Sequence, residues 1–233
     1  MREVEQPGQW PPGWRIEPRG ASLPAAVLQA WRSVPVAVVG DCLGRLIGTM
    51  GLRAYHPDLH TVLCGQAITV RTRPGDNLII HKAMLMAQAG DVIVIDGGGD
   101  LTQALVGGLM RTTAVAKQLG GFVIDGAVRD LVEWDEGGMP VYARGHTHRG
   151  PSKEGPGEVN VPVCCAGLVV QPGDLVLGDA DGVIAIPVVQ LDALWPKVQA
   201  HLAMEAESRA INASGVGDPE RFDALLRAKG VPV

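Results

Sequence analysis

The chain has 233 residues, a formal charge of −5, a pI near 5.7 and 46 % hydrophobic residues. That length can bury a full core as one domain, the acidic balance argues against a nucleic-acid surface, and no apolar run reaches the roughly eighteen residues of a membrane span. With 31 glycines and 17 prolines against only 4 % aromatics, long helical bundles are excluded in favour of many short elements joined by tight turns.

Residues 1–20 carry Pro7, Pro11, Pro12 and Pro18 with Trp10 and Trp14, too proline-rich for a helix, and read as an N-terminal arm packed on a neighbour. The polar, proline-bearing start lacks the apolar stretch of a secretory signal, which points to a cytoplasmic protein. Cys42, Cys64, Cys164 and Cys165 have no Cys-x-x-Cys spacing and read as reduced apolar filler. Residues 24–32 have helical spacing, and 35–39 are a short apolar run. Residues 66–73 alternate with period two, as a strand with one exposed face does. Asp76 or Asn77 then caps a helix over 78–88 by accepting its free amide hydrogens.

The unbroken run Val92, Ile93, Val94, Ile95 reads as a strand buried on both faces. Its Gly-rich successor, Gly97 to Gly99, lacks the Lys-Ser/Thr of a phosphate-binding loop and the spacing of a dinucleotide fingerprint, so nucleotide binding is rejected. Residues 101–119 read as two helices broken at Gly107-Gly108, a pair costing roughly 2 kcal/mol in a helix interior. A helix starting there would aim the amides of Gly108, Leu109 and Met110 outward as an anion site. Close helix packing over small residues is the other reading of the pair.

The stretch from Gly120 to Asp130 is where the chemistry is expected. Residues 122–124 read as a buried strand and Asp125-Gly126 as a turn. Arg129 and Asp130 follow, a planar fork of donors for a carboxylate beside an oxygen donor for a hard divalent cation. Residues 131–136 read as a short helix, 139–144 as a strand, and 152–160 as a loop at the site's edge. His146 and His148, in a His-x-His, read as exposed loop histidines in the absence of an evident third ligand. Asp179 and Asp181 suit a hairpin turn better than a metal. Residues 191–213 form a long helix with Leu191, Leu194, Val198 and Leu202 on one stripe, and 219–229 a final short one.

These motifs, in this order, carry a resemblance: Gly75-Asp76-Asn77-Leu78, Asp96-Gly97-Gly98-Gly99, Asp125-Gly126-Ala127-Val128-Arg129-Asp130, Val159-Asn160-Val161-Pro162-Val163, and Gly173-Asp174 through Gly182-Val183. The chain resembles the RraA-like family, which holds regulators of ribonuclease E activity and the 4-hydroxy-4-methyl-2-oxoglutarate and 4-carboxy-4-hydroxy-2-oxoadipate aldolases. The resemblance implies a layered α/β sandwich with mixed sheets over residues 21–190, a C-terminal helical extension over 191–233, and trimers or dimers of trimers with sites between subunits. It implies that Arg129 holds a pyruvoyl carboxylate, that Asp130 binds Mg²⁺ or Mn²⁺, and that Glu205, with Glu207 as the alternative, reaches the metal waters from a neighbour. An acid that the aldolases carry aligns here with Gly108. The expected function is therefore a metal-dependent carbon–carbon lyase of small 2-oxo acids, with decarboxylation of oxaloacetate better supported than aldol cleavage. A non-catalytic regulator of a ribonuclease is the alternative. Relatives' methyltransferase labels find no support, since no adenosine-binding acid follows Gly97 to Gly99.

Overall fold

The computed structural model describes residues 10–215 and 218–233, so residues 1–9 of the expected arm lie outside the described part. The described residues divide into two compact units, one ending at Leu191 and the other beginning at Asp192. The first unit opens with β1 (Trp14–Ile16), α1 (Ala25–Trp31), α2 (Val36–Cys42), β2 (Arg53–Ala54), β3 (Leu63–Thr72) and α3 (Leu78–Met86). It continues through β4 (Val92–Asp96), β5 (Ala104–Val106), α4 (Gly108–Ala116), β6 (Gly121–Val128), α5 (Leu131–Asp135), β7 (Val141–His146) and β8 (Gly157–Val159). Three short strands and one hairpin partner close it: β9 (Val163–Cys165), β10 (Leu168–Val170), β11 (Leu175–Asp179) and β12 (Gly182–Ile186).

One mixed sheet organises these elements, in the order β1-β8-β3-β4-β6-β7-β2, with β11 on β3 and β5 on β6. The central pairs β3–β4, β4–β6 and β6–β7 are parallel, while β3–β8, β3–β11 and β7–β2 are antiparallel. Because side chains alternate across a strand, each central strand feeds two cores. Ile68, Val70, Ile93, Ile95, Phe122 and Ile124 face α3, α4 and α5. Ala67, Val92, Val94, Val123 and Tyr142 face β9, β10 and β12. The expected α/β architecture with mixed pairing is what forms.

Three local expectations are corrected. First, β3 has no open face: of its residues only Arg71 is exposed. Its polar groups are buried because each finds a backbone partner: Thr69 Oγ1 donates to Val161 O at 2.6 Å, Thr72 Oγ1 to Asp76 O at 2.7 Å, and Gln66 bonds Leu23 N and Ala21 O. Second, residues 101–106 are not helical. Ala104, Leu105 and Val106 form β5, parallel to β6, and a short fully apolar run carries no periodicity by which strand and helix are told apart. Third, Asp125-Gly126 is no turn, since β6 runs through to Val128. Its register against β7 shifts between Ile124 and Ala127, as at a bulge. Asp125 is neutralised there by Arg144 and accepts Ala166 N–H at 2.8 Å. A β-carbon on Gly126 would lie 2.8 Å from Leu105 Cδ1, so the end of that side chain would have to move.

Smaller shifts follow the same logic. The α3 cap is Asp76, whose Oδ1 accepts Leu78 N–H at 3.0 Å, and the helix ends at Met86. Asn77 instead donates to Leu105 O. Asp179 serves the hairpin, accepting Asp181 N–H at 2.9 Å and Val36 N–H at 2.8 Å. The described part of the arm lies on this chain's own sheet, β1 pairing in parallel with β8, and Arg19 clasps Asp91 through two bonds of 2.7 Å. All four cysteines are free. In the second unit, α6 (Leu191–Ala213, starting at the unit boundary) and α7 (Pro219–Arg227) form as expected. Among the described residues no helix is long and apolar enough to cross a membrane.

The crossing of the turn at Gly90 over β3 gives a stability test. A β-carbon on Gly65 would overlap the Gly90 carbonyl oxygen, which is backbone, and sit 2.9 Å from Val92 Cγ2 on β4. Gly65→Ala should therefore lower stability by about 1–3 kcal/mol in chemical denaturation, with an unchanged m-value. An unchanged midpoint would show that this crossing yields freely.

Candidate active site

The site is assembled where β5 and β6 end, on the carboxyl side of parallel strands, the usual place for ligands in α/β sheets. Val106 leads into Gly107-Gly108 and α4, and Val128 leads into Arg129-Asp130 and α5. The two strand ends are tied together by Arg129 N–H, which donates to Val106 O at 3.1 Å. Asp130 adopts the left-handed backbone conformation, φ 60°, at the N-terminus of α5. For a residue with a side chain this is uncommon and is held by surrounding bonds. Asp130 Oδ2 accepts Gly108 N–H at 2.8 Å, Asp130 O accepts Glu133 N–H at 3.0 Å, and Trp134 Nε1 donates to Arg129 O at 2.8 Å. Trp134 is buried edge-on against Phe122, with ring centroids 6.1 Å apart, and thus bolts the Arg-Asp corner to the core.

Glycine makes the charges converge. A β-carbon on Gly107 would meet Asp130 Oδ2 at 2.5 Å and Arg129 Cγ and Nε at 3.0 Å. One on Gly150 would lie 2.8 Å from Arg129 Nη1, and one on Gly108 would fall inside the Glu133 carboxylate. Arg129 Nε is 3.4 Å from Asp130 Oδ2, with both side chains partly exposed. Two clefts flank this pair. The first, of about 180 Å³, is lined by Asn77, His81, residues 104–107, Leu109, Met110, Arg129, Pro151 and Lys153. The second, of about 270 Å³, is lined by Arg129, Asp130, Leu131, His146, Thr147 and His148. Arg129 is shared by both linings.

The structure thus brings together Gly107, Gly108, Leu109, Met110, Arg129 and Asp130. Two of the three expected donor amides are already engaged, Gly108 with Asp130 and Met110 with Gly107 O at 3.0 Å. Leu109 N–H remains at the helix N-terminus. Glu205 belongs to the C-terminal unit, where it pairs with Arg209 at 3.0 Å and lies 3.5 Å from His201. Glu207 is on the same helix. His146, at the end of β7, and His148, in the loop after it, are exposed as expected and also line the second cleft, and His146 Nδ1 is 3.2 Å from Tyr55 Oη. Among the described residues no three His, Cys, Asp or Glu side chains converge as a ready metal cage.

Sequence reading missed Glu133. Its carboxylate occupies the space that a side chain at position 108 would fill, so an acid is present there although Gly108 has none. The available signal was the spacing Asp130-x-x-Glu133, an acid at the start of α5 followed by one in its first turn. It also missed the fastening of the loop at 151–155. Asp76, fully buried, accepts from Ser152 Oγ at 2.7 Å, Glu154 N–H at 2.6 Å and Gly155 N–H at 3.0 Å.

An arginine and two acids are gathered on bare glycine backbone at the strand ends of an α/β sheet. A family model described as RraA-like, Aldolase/RraA, matches residues 36–185, and the chain belongs to that family. A Halalkalibacterium halodurans protein provisionally named a 4-hydroxy-4-methyl-2-oxoglutarate aldolase is 39 % identical over 184 residues, 78 % of this chain and 87 % of that protein. A Thermus thermophilus protein named 4-hydroxy-4-methyl-2-oxoglutarate aldolase is 40 % identical over 148 residues, 64 % of this chain and 85 % of its own length. Among solved structures, Streptomyces coelicolor RraAS2, described as an unusual member of the RNase ES inhibitor RraA protein family, superposes with a TM-score of 0.74 at 26 % identity, covering 82 % of this chain and 98 % of that one.

Asp76 carries a pH prediction. Burial pushes its carboxyl up, but the Ser152 hydroxyl and the amides of Leu78, Glu154 and Gly155 outweigh this and hold it below the ordinary carboxylate range. A carboxyl whose folded value is depressed contributes stability that is present above the unfolded value, near 3.9, and lost as pH falls through the folded one. Asp76→Asn should cost about 1–3 kcal/mol at pH 7 and flatten the fall in stability on acidification below about pH 4, measured by urea unfolding across pH. A variant with the wild-type profile would remove Asp76 from that role.

Proposed function

We propose that the chain is a divalent-cation-dependent lyase that breaks the carbon–carbon bond β to the ketone of small 2-oxo acids. Its reactions would be decarboxylation of oxaloacetate and aldol cleavage of 4-hydroxy-4-methyl-2-oxoglutarate or 4-carboxy-4-hydroxy-2-oxoadipate. The observation that carries this reading is the Glu133 carboxylate seated over Gly108 beside Asp130 and Arg129. The family names of the aldolase relatives support lyase chemistry at that level.

Arg129 presents its guanidinium between the two clefts, where two parallel donors suit the substrate's carboxylate. Leu109 N–H at the α4 terminus adds a donor and the helix dipole. Asp130 fits a divalent cation: one oxygen is fixed by Gly108 N–H, while among the described residues Oδ1 accepts no hydrogen bond. A single protein carboxylate, with water and substrate oxygens completing the shell, suits Mg²⁺ or Mn²⁺. Such an ion supplies Lewis-acid stabilisation of the negative charge that develops on the ketone oxygen. For aldol cleavage Glu133 takes the proton of the 4-hydroxyl as the bond between carbons 3 and 4 breaks. The electron pair stays on carbon 3 as the pyruvate enolate, and the other half leaves as an oxo acid. Decarboxylation gives the same enolate with loss of CO₂ and needs no such base.

Exposed apolar side chains beside the site, Leu109 at 85 % and Val132 at 84 %, support a neighbouring subunit at this face. A trimer or dimer of trimers in the cytoplasm, with Glu205 or Glu207 reaching the metal waters of the next subunit, is the assembly proposed. One observation favours a second reading: a Thermus thermophilus structure described as the RNA-processing inhibitor RraA is 32 % identical with a TM-score of 0.60. A non-catalytic regulator would keep its partner after Arg129→Ala.

Purified protein with oxaloacetate should release pyruvate in Mg²⁺ or Mn²⁺ and stop when the ion is chelated. Arg129→Ala and Asp130→Ala should each lower kcat/KM at least about 100-fold. Glu133→Gln should lower aldol cleavage about 100-fold and decarboxylation far less. No metal-dependent rate above background with either substrate would sink the lyase reading.

A further inference from the structure

The first cleft has features that gripping a pyruvoyl carboxylate does not require. Its lining carries two cations, Arg129 and Lys153, and no acid, between apolar walls of Leu105, Val106, Met110 and Pro151. Arg129 is paired with Asp130, 3.4 Å away in the lining of the other cleft, whereas among the described residues no ion pair engages Lys153, so this partly apolar groove keeps an unmatched cation beside the arginine and favours a doubly anionic occupant. His81 lines the same cleft, and burial together with the Lys153 ammonium lowers its pKa, so that near neutral pH it is an uncharged imidazole able to donate one N–H. Asn77, also in the lining and only 4 % exposed, has its Nδ2 bound to Leu105 O while Oδ1 is buried without a partner.

Lys153 itself is exposed, yet its backbone is not free to wander. Ser152 and Glu154, on either side of it, are pinned to Asp76, and Ser152 also bonds Gly75 O at 2.9 Å and Asn77 N–H at 3.1 Å. A cation carried on a loop fastened at both neighbours is preorganised, which limits the entropy lost when it meets a ligand.

We propose that Lys153, with His81 beside it, is the specificity-determining contact for a second, distal carboxylate, so that the cleft selects 2-oxo dicarboxylates over 2-oxo monocarboxylates. Asp76 is the positioning residue that holds its loop. This rests on Arg129 taking the first carboxylate, as in the lyase reading. It differs from that reading in concerning binding, which can be measured without turnover.

The test is calorimetric titration of the full chain in Mg²⁺ with 2-oxoglutarate as the dicarboxylate and pyruvate as the monocarboxylate. Wild type should prefer 2-oxoglutarate, and Lys153→Met should reduce the ratio of the two affinities about tenfold or more, as loss of one charged contact does. Lys153→Arg should restore most of the ratio. Asp76→Asn should lower it while circular dichroism shows a folded protein. Dicarboxylate selectivity that depends on Lys153 in a protein that decarboxylates nothing would uphold the subsite and overturn the lyase reading. Equal weakening of both ligands in Lys153→Met, or no change in either, would overturn the subsite even in an active enzyme.

Discussion

The packing of charged groups directly on backbone that has no β-carbons is what the site depends on. Gly107, Gly108 and Gly150 are the floor, and a methyl group at any of them would enter the space of Asp130, Glu133 or Arg129. A carboxylate pressed against the start of α4 sits at the positive end of the helix dipole and accepts an amide that the helix cannot use itself. The left-handed backbone at Asp130 turns the chain so that successive residues, one cationic and one anionic, both face this floor. The conformation is uncommon for aspartate, and it persists because bonds from Gly108, Trp134 and Glu133 all converge on Arg129-Asp130.

The sheet supplies the rigidity behind that corner. Its central strands are apolar on both faces, so each is clamped between two cores, and the strand that delivers Arg129 is buried along its whole length. The one charge inside it, Asp125, is neutralised by Arg144 from the neighbouring strand and bonded to Ala166. A buried carboxylate left unpaired would cost several kcal/mol, so the pairing is a condition for running β6 straight to the site.

Much of this was legible in the sequence, for definite reasons. Arg129-Asp130 stood out because an ion pair cannot continue a buried apolar run, and Gly108 as a helix start because a glycine pair breaks helices. β4 and the closing hairpin followed from composition alone. Other features depend on partners distant in the chain. Thr69, on the same face as Arg71, looks solvent-directed until Val161 arrives to bond it. Ala104 to Val106 carry no periodicity, so only pairing with β6 decides that they are a strand. Glu133 reaches Gly108 only because α5 folds back over a glycine 25 positions earlier in the chain. Lys153 and His81 meet in one cleft although 72 positions separate them.

The two clefts differ in charge, and this constrains how any acid can lie. One is lined by Lys153 and His81 without a carboxylate, the other by Asp130 with His146 and His148, and Arg129 belongs to both. An oxo acid whose carboxylate is taken by the shared arginine therefore meets cations and apolar wall in one direction and a carboxylate in the other. An anionic tail is favoured only toward Lys153, since toward Asp130 it would face like charge. In the proposed lyase the chelating end of such a molecule, whose oxygens are lone-pair donors to a cation, would lie toward Asp130. The orientation follows from the sign of the groups and needs no induced change of shape, which is why the glycine floor, by fixing where those signs sit, governs the chemistry as well as the packing.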